Sequence, residues 1–331
     1  VISNNLRPLP VLLDCDTGID DAIALIYLAA LHHKGDIILT GVSTSAGNVS
    51  AQQCAWNSRY ILDLCELATI PVSQGSMNPL VVPLVTTPET HGESGLGYVQ
   101  VTETMLTSTP HNNWQELWTQ VLSTTPQAHL IVTGPTTNLA RWMETHGLPH
   151  NVSIMGGSFL YPGNTTPTAE WNCWVDPHAA QKVFQAAHSA HPLRLCSLSV
   201  TEKMLITPED VTRLRAIFSD HILAELIDDA LRFYFEFHEQ QGEGYQAQIH
   251  DLLTCMIALG RVKTHVRRVT VDVETESTLM RGTTVADYKN HWDSAASHRD
   301  SVALVIDVDF EQAYADFFNA MQFLASHLAS K

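Results

Sequence analysis

Positive charge is scarce in this chain. Eighteen Lys and Arg stand against 35 Asp and Glu, for a formal net charge of −17. That balance lacks the positive field that a nucleic-acid backbone or an anionic membrane surface selects, so neither is expected as a partner. No apolar run approaches the roughly 20 residues of a membrane-spanning helix. The opening VISNNLRPLP lacks the apolar centre of a secretory leader. The six cysteines (Cys15, Cys54, Cys65, Cys173, Cys196 and Cys255) show no zinc-like spacing. Several sit in apolar runs, as buried free thiols do, and the expected setting is a reducing cytoplasm. Internal repeats, low-complexity tracts and linkers are also missing, so residues 1–331 are expected to form one domain. With 45% hydrophobic residues, the chain has ample material for a large core. The histidines, seventeen in all, are mostly expected at surfaces and helix ends, as at His32, His33, His188 and His191.

What is present in excess is aspartate in one place. Residues 11–27 read VLLDCDTGIDDAIALIY. The apolar run Val11, Leu12, Leu13 predicts a buried strand. Gly18 turns the chain, and the apolar-rich residues from Ala22 predict a helix. Asp14, Asp16, Asp20 and Asp21 therefore crowd one strand-to-helix turn. One Asp pair at a helix start would merely complement the helix dipole. Four carboxylates within eight residues repel one another and would tend to hold their protons unless a cation intervenes. A hard, oxygen-seeking ion such as calcium or magnesium suits them.

The rest of the chain repeats the strand–turn–helix pattern. Strands are expected at 36–45, 70–75, 128–132, 152–157 and 193–199, with a half-exposed strand at 269–276 and a closing sheet edge at 281–285 and 302–308. Helices are expected at 49–66, 114–123, 208–217, 219–237 and 310–328. The fold class is α/β, an open, mostly parallel central sheet flanked by helices. Ligands in such sheets bind at the carboxyl ends of the strands. Two long polar segments, 76–110 and 239–248, suit mobile loops over a site. Taken singly, Asn48, Thr137 and Asn138 read as helix caps, and Asp176-Pro177 as an N-cap with proline at the first helical position. Glu170 and Asn172, two apart, would point the same way in an extended segment.

Four motifs in order resemble the inosine–uridine-preferring nucleoside hydrolases, calcium-dependent enzymes that cleave the N-glycosidic bond of ribonucleosides. They are Asp14-x-Asp16-x-Gly18-x-Asp20-Asp21-Ala22, then Thr133-Gly134-Pro135-Thr136-Thr137-Asn138. Met155-Gly156-Gly157 follows with Asn164, Glu170-x-Asn172 and Asp176-Pro177, and last comes His250-Asp251. Thr17 and Leu252 stand where the family usually has proline. The resemblance implies Ca2+ held by Asp16, Asp21, Asp251 and a Thr133 carbonyl left free at its strand end. It implies Asp16 as the base for an attacking water, and His250 as the acid for the leaving base. Asp20, Asn48, His91, Asn164, Glu170 and Asn172 would hold the ribose, His91 toward the 5′-hydroxyl. Asp14 would orient the turn from behind. His250, where purine-specific relatives carry Trp, points to the inosine–uridine or pyrimidine branch; the base-side residues of 239–248 are not fixed by any motif, with Tyr245 a guess. The partner is a small ribonucleoside, and the assembly a homodimer or homotetramer. Two other readings stay open. Asp14-x-Asp16-Thr17 also resembles the haloacid-dehalogenase phosphohydrolase motif, with Asp14 as nucleophile. A non-catalytic, calcium-dependent nucleoside- or ribose-binding protein could carry the same groups.

Overall fold

The computed structural model describes residues 8–187, 193–292 and 300–330, so His188 and His191 lie outside the described residues. The first strand β1 (Leu9–Cys15) is followed by β2 (Ile37–Thr44), β3 (Val72–Gln74), β4 (His129–Val132), β5 (Asn151–Met155) and β6 (Arg194–Cys196). A short ribbon, β7 (Leu205–Ile206) with β8 (Ala247–Gln248), stands apart. The strands β9 (Thr264–Val273), β10 (Thr284–Asp287) and β11 (Val302–Val308) complete a nine-stranded sheet in the order β10-β9-β11-β6-β5-β4-β1-β2-β3. From β3 across to β11 every neighbouring pair is parallel; only β9 runs against its two neighbours. The expected open, mostly parallel sheet is therefore what forms.

Helices α1 (Ile19–Lys34), α2 (Ala51–Leu64), α3 (Pro88–His91), α4 (Trp114–Thr124), α5 (Thr137–His146), α6 (Trp171–Val175) and α7 (Pro177–Gln185) precede β6 or lead into it. After it come α8 (Leu198–Thr201), α9 (Pro208–Phe218), α10 (Ile222–Gln240), α11 (His250–Ala258) and α12 (Phe310–Ala329). Every residue of α1 from Ile19 to Leu31 is buried, as a helix apolar on all sides must be. It packs against α2, α11 and α12. Each fully buried Leu or Ile there contributes about 1.5–3 kcal/mol, so the first carboxylate turn stands on a well-anchored helix. Gly35 ends α1 in the left-handed region at φ 81°, and His32 and His33 lie in its last turn as expected.

β1 lies between β2 and β4. The chain leaves β1 toward β2 and later returns on the other side through β4. The strand order reverses there, and a crevice opens at the carboxyl ends.

Several local expectations are corrected. The strand expected over 193–199 stops at Cys196, because Ser197 and the residues after it turn into α8. Glu170 and Asn172 are not in an extended segment. Glu170 is the N-cap of α6, accepting from the Asn172 and Cys173 amides. The cap of α2 is Ser50 rather than Asn48. Thr137 and Asn138 are the first residues of α5 but do not cap it. Thr137 donates to Asp176 Oδ2, and Asn138 reaches Asp14 and Thr44. Asp176-Pro177 does open α7, with the Asp176 carboxylate taking the Ala179 amide at 3.0 Å.

Candidate active site

A cavity of about 440 Å³ opens at the carboxyl ends of the strands, within the range that small-molecule sites occupy. Its lining includes Asp16, Asp20, Asn48, His91, Thr133, Asn164, Glu170, Asn172, His250 and Asp251. Of the residues that the four motifs singled out for a role in the site, only Asp14 and Asp21 are absent from the wall. Asp21 is buried behind it. Its Oδ2 accepts from the Gly18 amide at 2.9 Å, and its Oδ1 from the Thr133 hydroxyl at 2.7 Å. A carboxylate oxygen from each of Asp20, Asp21 and Asp251 lies within 4.8 Å of the other two. Asp16 stands beside this group, with Oδ2 taking the Asn48 amide at 2.8 Å. Gly47 is required here, because a Cβ on it would fall 2.1 Å from Asp16 Oδ2.

The electrostatics follow from burial. Desolvation, and then the Asp21 charge, push Asp20 up to about 7. Asp16 and Asp251 are raised well above the usual carboxylate range, first by burial and then by neighbouring aspartates. Burial also raises Asp21. Among the described residues the wall carries six carboxylates and no Lys or Arg, so no Lys or Arg there offsets them. An all-oxygen donor set with this much negative charge fits a hard divalent cation. Its tightest group contains Asp20, whereas the sequence reading used Asp16 with Asp21 and Asp251 and gave Asp20 to the sugar. The Thr133 carbonyl is not free, since Asn172 Nδ2 donates to it at 2.7 Å. An sp² carbonyl has a second lone pair, so this bond orients the oxygen without excluding it from a cation.

Glu170 is more constrained than a sugar ligand need be. It also accepts from the Gly157 amide at 2.9 Å, so three backbone N–H groups hold it at the cavity wall. Asn164 is exposed, and its Oδ1 takes the Trp171 amide at 3.0 Å. Asp14 is fully buried with Oδ1 committed to Ser43 at 2.6 Å and Asn138 at 2.7 Å. Lying off the cavity wall, it cannot act as a phosphohydrolase nucleophile, and that reading falls.

Three histidines, His91, His238 and His250, line the site. Burial first, and then His238 and His250, lower His91 to about 3. Burial and then His238 lower His250 to about 3. Burial lowers His238 as well. All three are neutral rings near pH 7. The Ile19 amide donates to His91 Nδ1 at 3.1 Å, which puts the ring hydrogen of neutral His91 on Nε2. His250 Nδ1 lies 2.9 Å from the Thr201 hydroxyl.

Sequence reasoning missed the wall built by α10. Tyr234, Phe237, His238 and Gln241 line the cavity together. Their spacing of three and four along one helix was a legible signal. Tyr245 does not line it; its ring packs edge-on against Phe235.

Comparison with known proteins places the chain in a family and agrees with the fold. A pyrimidine-specific ribonucleoside hydrolase, RihA, of Salmonella arizonae is 36% identical over 313 residues, covering 92% of this chain and 95% of that protein. The solved purine-preferring ribonucleoside hydrolase of Gardnerella vaginalis superposes with a TM-score of 0.82 at 22% identity, covering 96% of this chain and 99% of that one. A plant nucleoside hydrolase gives the same TM-score at 24% identity, covering 95% and 99%. The profile of the inosine-uridine preferring nucleoside hydrolases matches residues 11–315, and the chain belongs to that family of hydrolases.

Proposed function

We propose that this enzyme hydrolyses the N-glycosidic bond of ribonucleosides, pyrimidine nucleosides foremost, with calcium as its cofactor. The observation that carries this reading is the buried group Asp20, Asp21 and Asp251 beside Asp16, at and just behind the wall of a cavity lined also by side-chain amides and an aromatic helix face. The relatives named pyrimidine-specific support the base preference. The cation-free wall disfavours phosphorylated substrates, because a phosphate would meet six carboxylates and no counter-charge. The buried free thiols support a cytoplasmic setting.

Asp16, Asp21, Asp251 and the Thr133 carbonyl would hold the calcium. When bound, calcium supplies Lewis acidity toward water and sugar hydroxyls. Asp16 takes the proton from the attacking water. Asp20, Asn48, Asn164, Glu170 and Asn172 hold the ribose while positive charge develops on its ring. His91 offers its Nε2–H to the 5′-hydroxyl. His250 assists departure of the base.

The testing experiment measures ribose release from uridine, cytidine, inosine and adenosine, with and without a calcium chelator. Release from the pyrimidine nucleosides, lost with chelator and restored by calcium, is expected. Tight calcium binding without release from any nucleoside would instead indicate a binding protein. His250→Ala is expected to lower kcat on uridine by about 100-fold, the scale of one lost hydrogen-bond donor to developing charge, because the ring is neutral and donates a hydrogen bond to the departing base. A nitrophenyl riboside, whose leaving group needs no proton, should lose far less. Equal losses on both substrates would remove His250 from that role.

A further inference from the structure

The two pieces of chain that meet over the sugar end of the cavity are distant in sequence. One is the aspartate turn, from Asp16 into α1. The other is the segment from α3 through Gly97, which brings in His91. Both are gripped by one residue outside the cavity. Asn57, on α2, is fully buried. Its Nδ2 donates to the Thr17 carbonyl at 3.1 Å and to the Ser94 carbonyl at 2.7 Å. Both amide hydrogens are thus spent, one on each segment. Its Oδ1 accepts from Gln53 Nε2 at 3.0 Å, and Gln53 Nε2 also donates to the Val101 carbonyl at 3.0 Å. The Asn57 head is therefore held on three sides and cannot turn away from either carbonyl.

We propose that Asn57 is a positioning residue that sets the register of the His91 segment on the aspartate turn, and so places the His91 Nε2–H for the sugar. This deepens the hydrolase reading and rests on it for the role of His91. The two segments differ in how else they are held. The turn has many independent restraints: Thr133 N to Asp14 O, Ser45 N to Cys15 O, Asn48 N to Asp16 and Gly18 N to Asp21. The His91 segment is closed mostly on itself, by Gly95 N to Gly92 O and Gly97 N to His91 O. Among the described residues its bonds outside itself are few: the Thr87 amide at its start to the Asn48 carbonyl, the Ile19 amide to His91, the Tyr98 hydroxyl to Glu236, and Asn57. Loss of Asn57 therefore falls on the His91 segment, while the turn stays in place. Gly95 supplies a second handle. It sits at φ +83°, and a Cβ on it would come 3.0 Å from Asn57 Nδ2 and 3.2 Å from the Thr17 carbonyl. A side chain there pushes the same junction apart from the other side.

The test combines hydrogen exchange with a substrate comparison on Asn57→Ala and Gly95→Ala. In both variants, amide exchange over residues 91–97 is expected to rise at least tenfold, while β4 and β5 stay protected and calcium affinity stays within about threefold. The preference in kcat/KM for uridine over 5′-deoxyuridine is expected to fall toward one, which a general loss of stability would not produce. Unchanged exchange over 91–97 in a folded variant overturns the proposal. So does a loss of calcium affinity with that segment still protected, because Asn57 would then serve the turn. If Asn57→Ala does not fold, Gly95→Ala alone decides. Absence of ribose release by the native protein would overturn the hydrolase reading, yet the exchange result would still judge Asn57.

Discussion

Asp16→Asn is expected to abolish nearly all turnover, with kcat on uridine reduced by at least about 10³-fold. The substitution keeps the size and planarity of a buried side chain and removes two things. One is the base that takes the water's proton, a group that contributes about 10²–10⁴-fold. The other is a carboxylate of the proposed calcium site. The Asn48 amide donates to Asp16 Oδ2 in the native protein, and Asn can still accept that bond through its carbonyl. The fold should therefore survive. The cation-free variant should in fact melt higher than the native protein, because one of several mutually repelling buried carboxylates has gone. Steady-state kinetics with calcium, and thermal melts without it, check the two halves. A kcat within tenfold of native would refute the assignment of Asp16 as base.

Calcium should raise the melting temperature strongly above neutral pH and weakly in acid. In the cation-free protein, burial raises the proposed ligands Asp16, Asp21 and Asp251 above an ordinary 3.8 and lifts their neighbour Asp20 to about 7. A carboxyl raised on folding contributes stability that is complete below about 4 and lost as pH rises through about 7. The cation-free protein thus loses this contribution over that window. Calcium requires the ionised forms, so its affinity grows across the same window. At free calcium about 100-fold above Kd the gain is about 2.7 kcal/mol, or roughly 4 °C for a chain of this length. His91 and His250 act with the opposite sign. Lowered to about 3 on folding, they stay neutral and cost stability as pH falls below about 6.5. That cost falls on the loaded and the stripped protein alike and cancels in the difference. Melts with calcium and with chelator, at about pH 8 and about pH 5, give the comparison. A difference that is flat or larger in acid would show that Asp16, Asp21 and Asp251 are not the cation site.

The sheet and most of the site could be read from sequence because both rest on local signals. Val11–Leu13 before Asp14, and the apolar residues after Asp21, mark a strand and a helix whatever lies around them. The expected strands all formed, with ends shifted by a few residues. The exception in kind was 197–199, where three residues carry too little pattern to separate a strand end from the start of α8. The ribbon β7–β8 was missed for the same reason, since a two-residue strand has no period.

The sequence by itself determined the chemistry on offer: which carboxylates share a turn, that the sheet is mostly parallel, and which amides and histidines are available. Only the tertiary structure decided how each group is committed. Asn138 looked like a cap and proved to hold Asp14, because its partner comes from another strand end. Glu170 looked like a free sugar ligand and proved to be the N-cap of α6, bound by three amides. The Thr133 carbonyl looked free and is met by Asn172. Asn57 carried no signal at all, since its two acceptors are backbone carbonyls, which have no residue identity to read. Hydrogen bonds between distant segments depend on which atoms close packing brings within about 3 Å, and no local pattern encodes that distance.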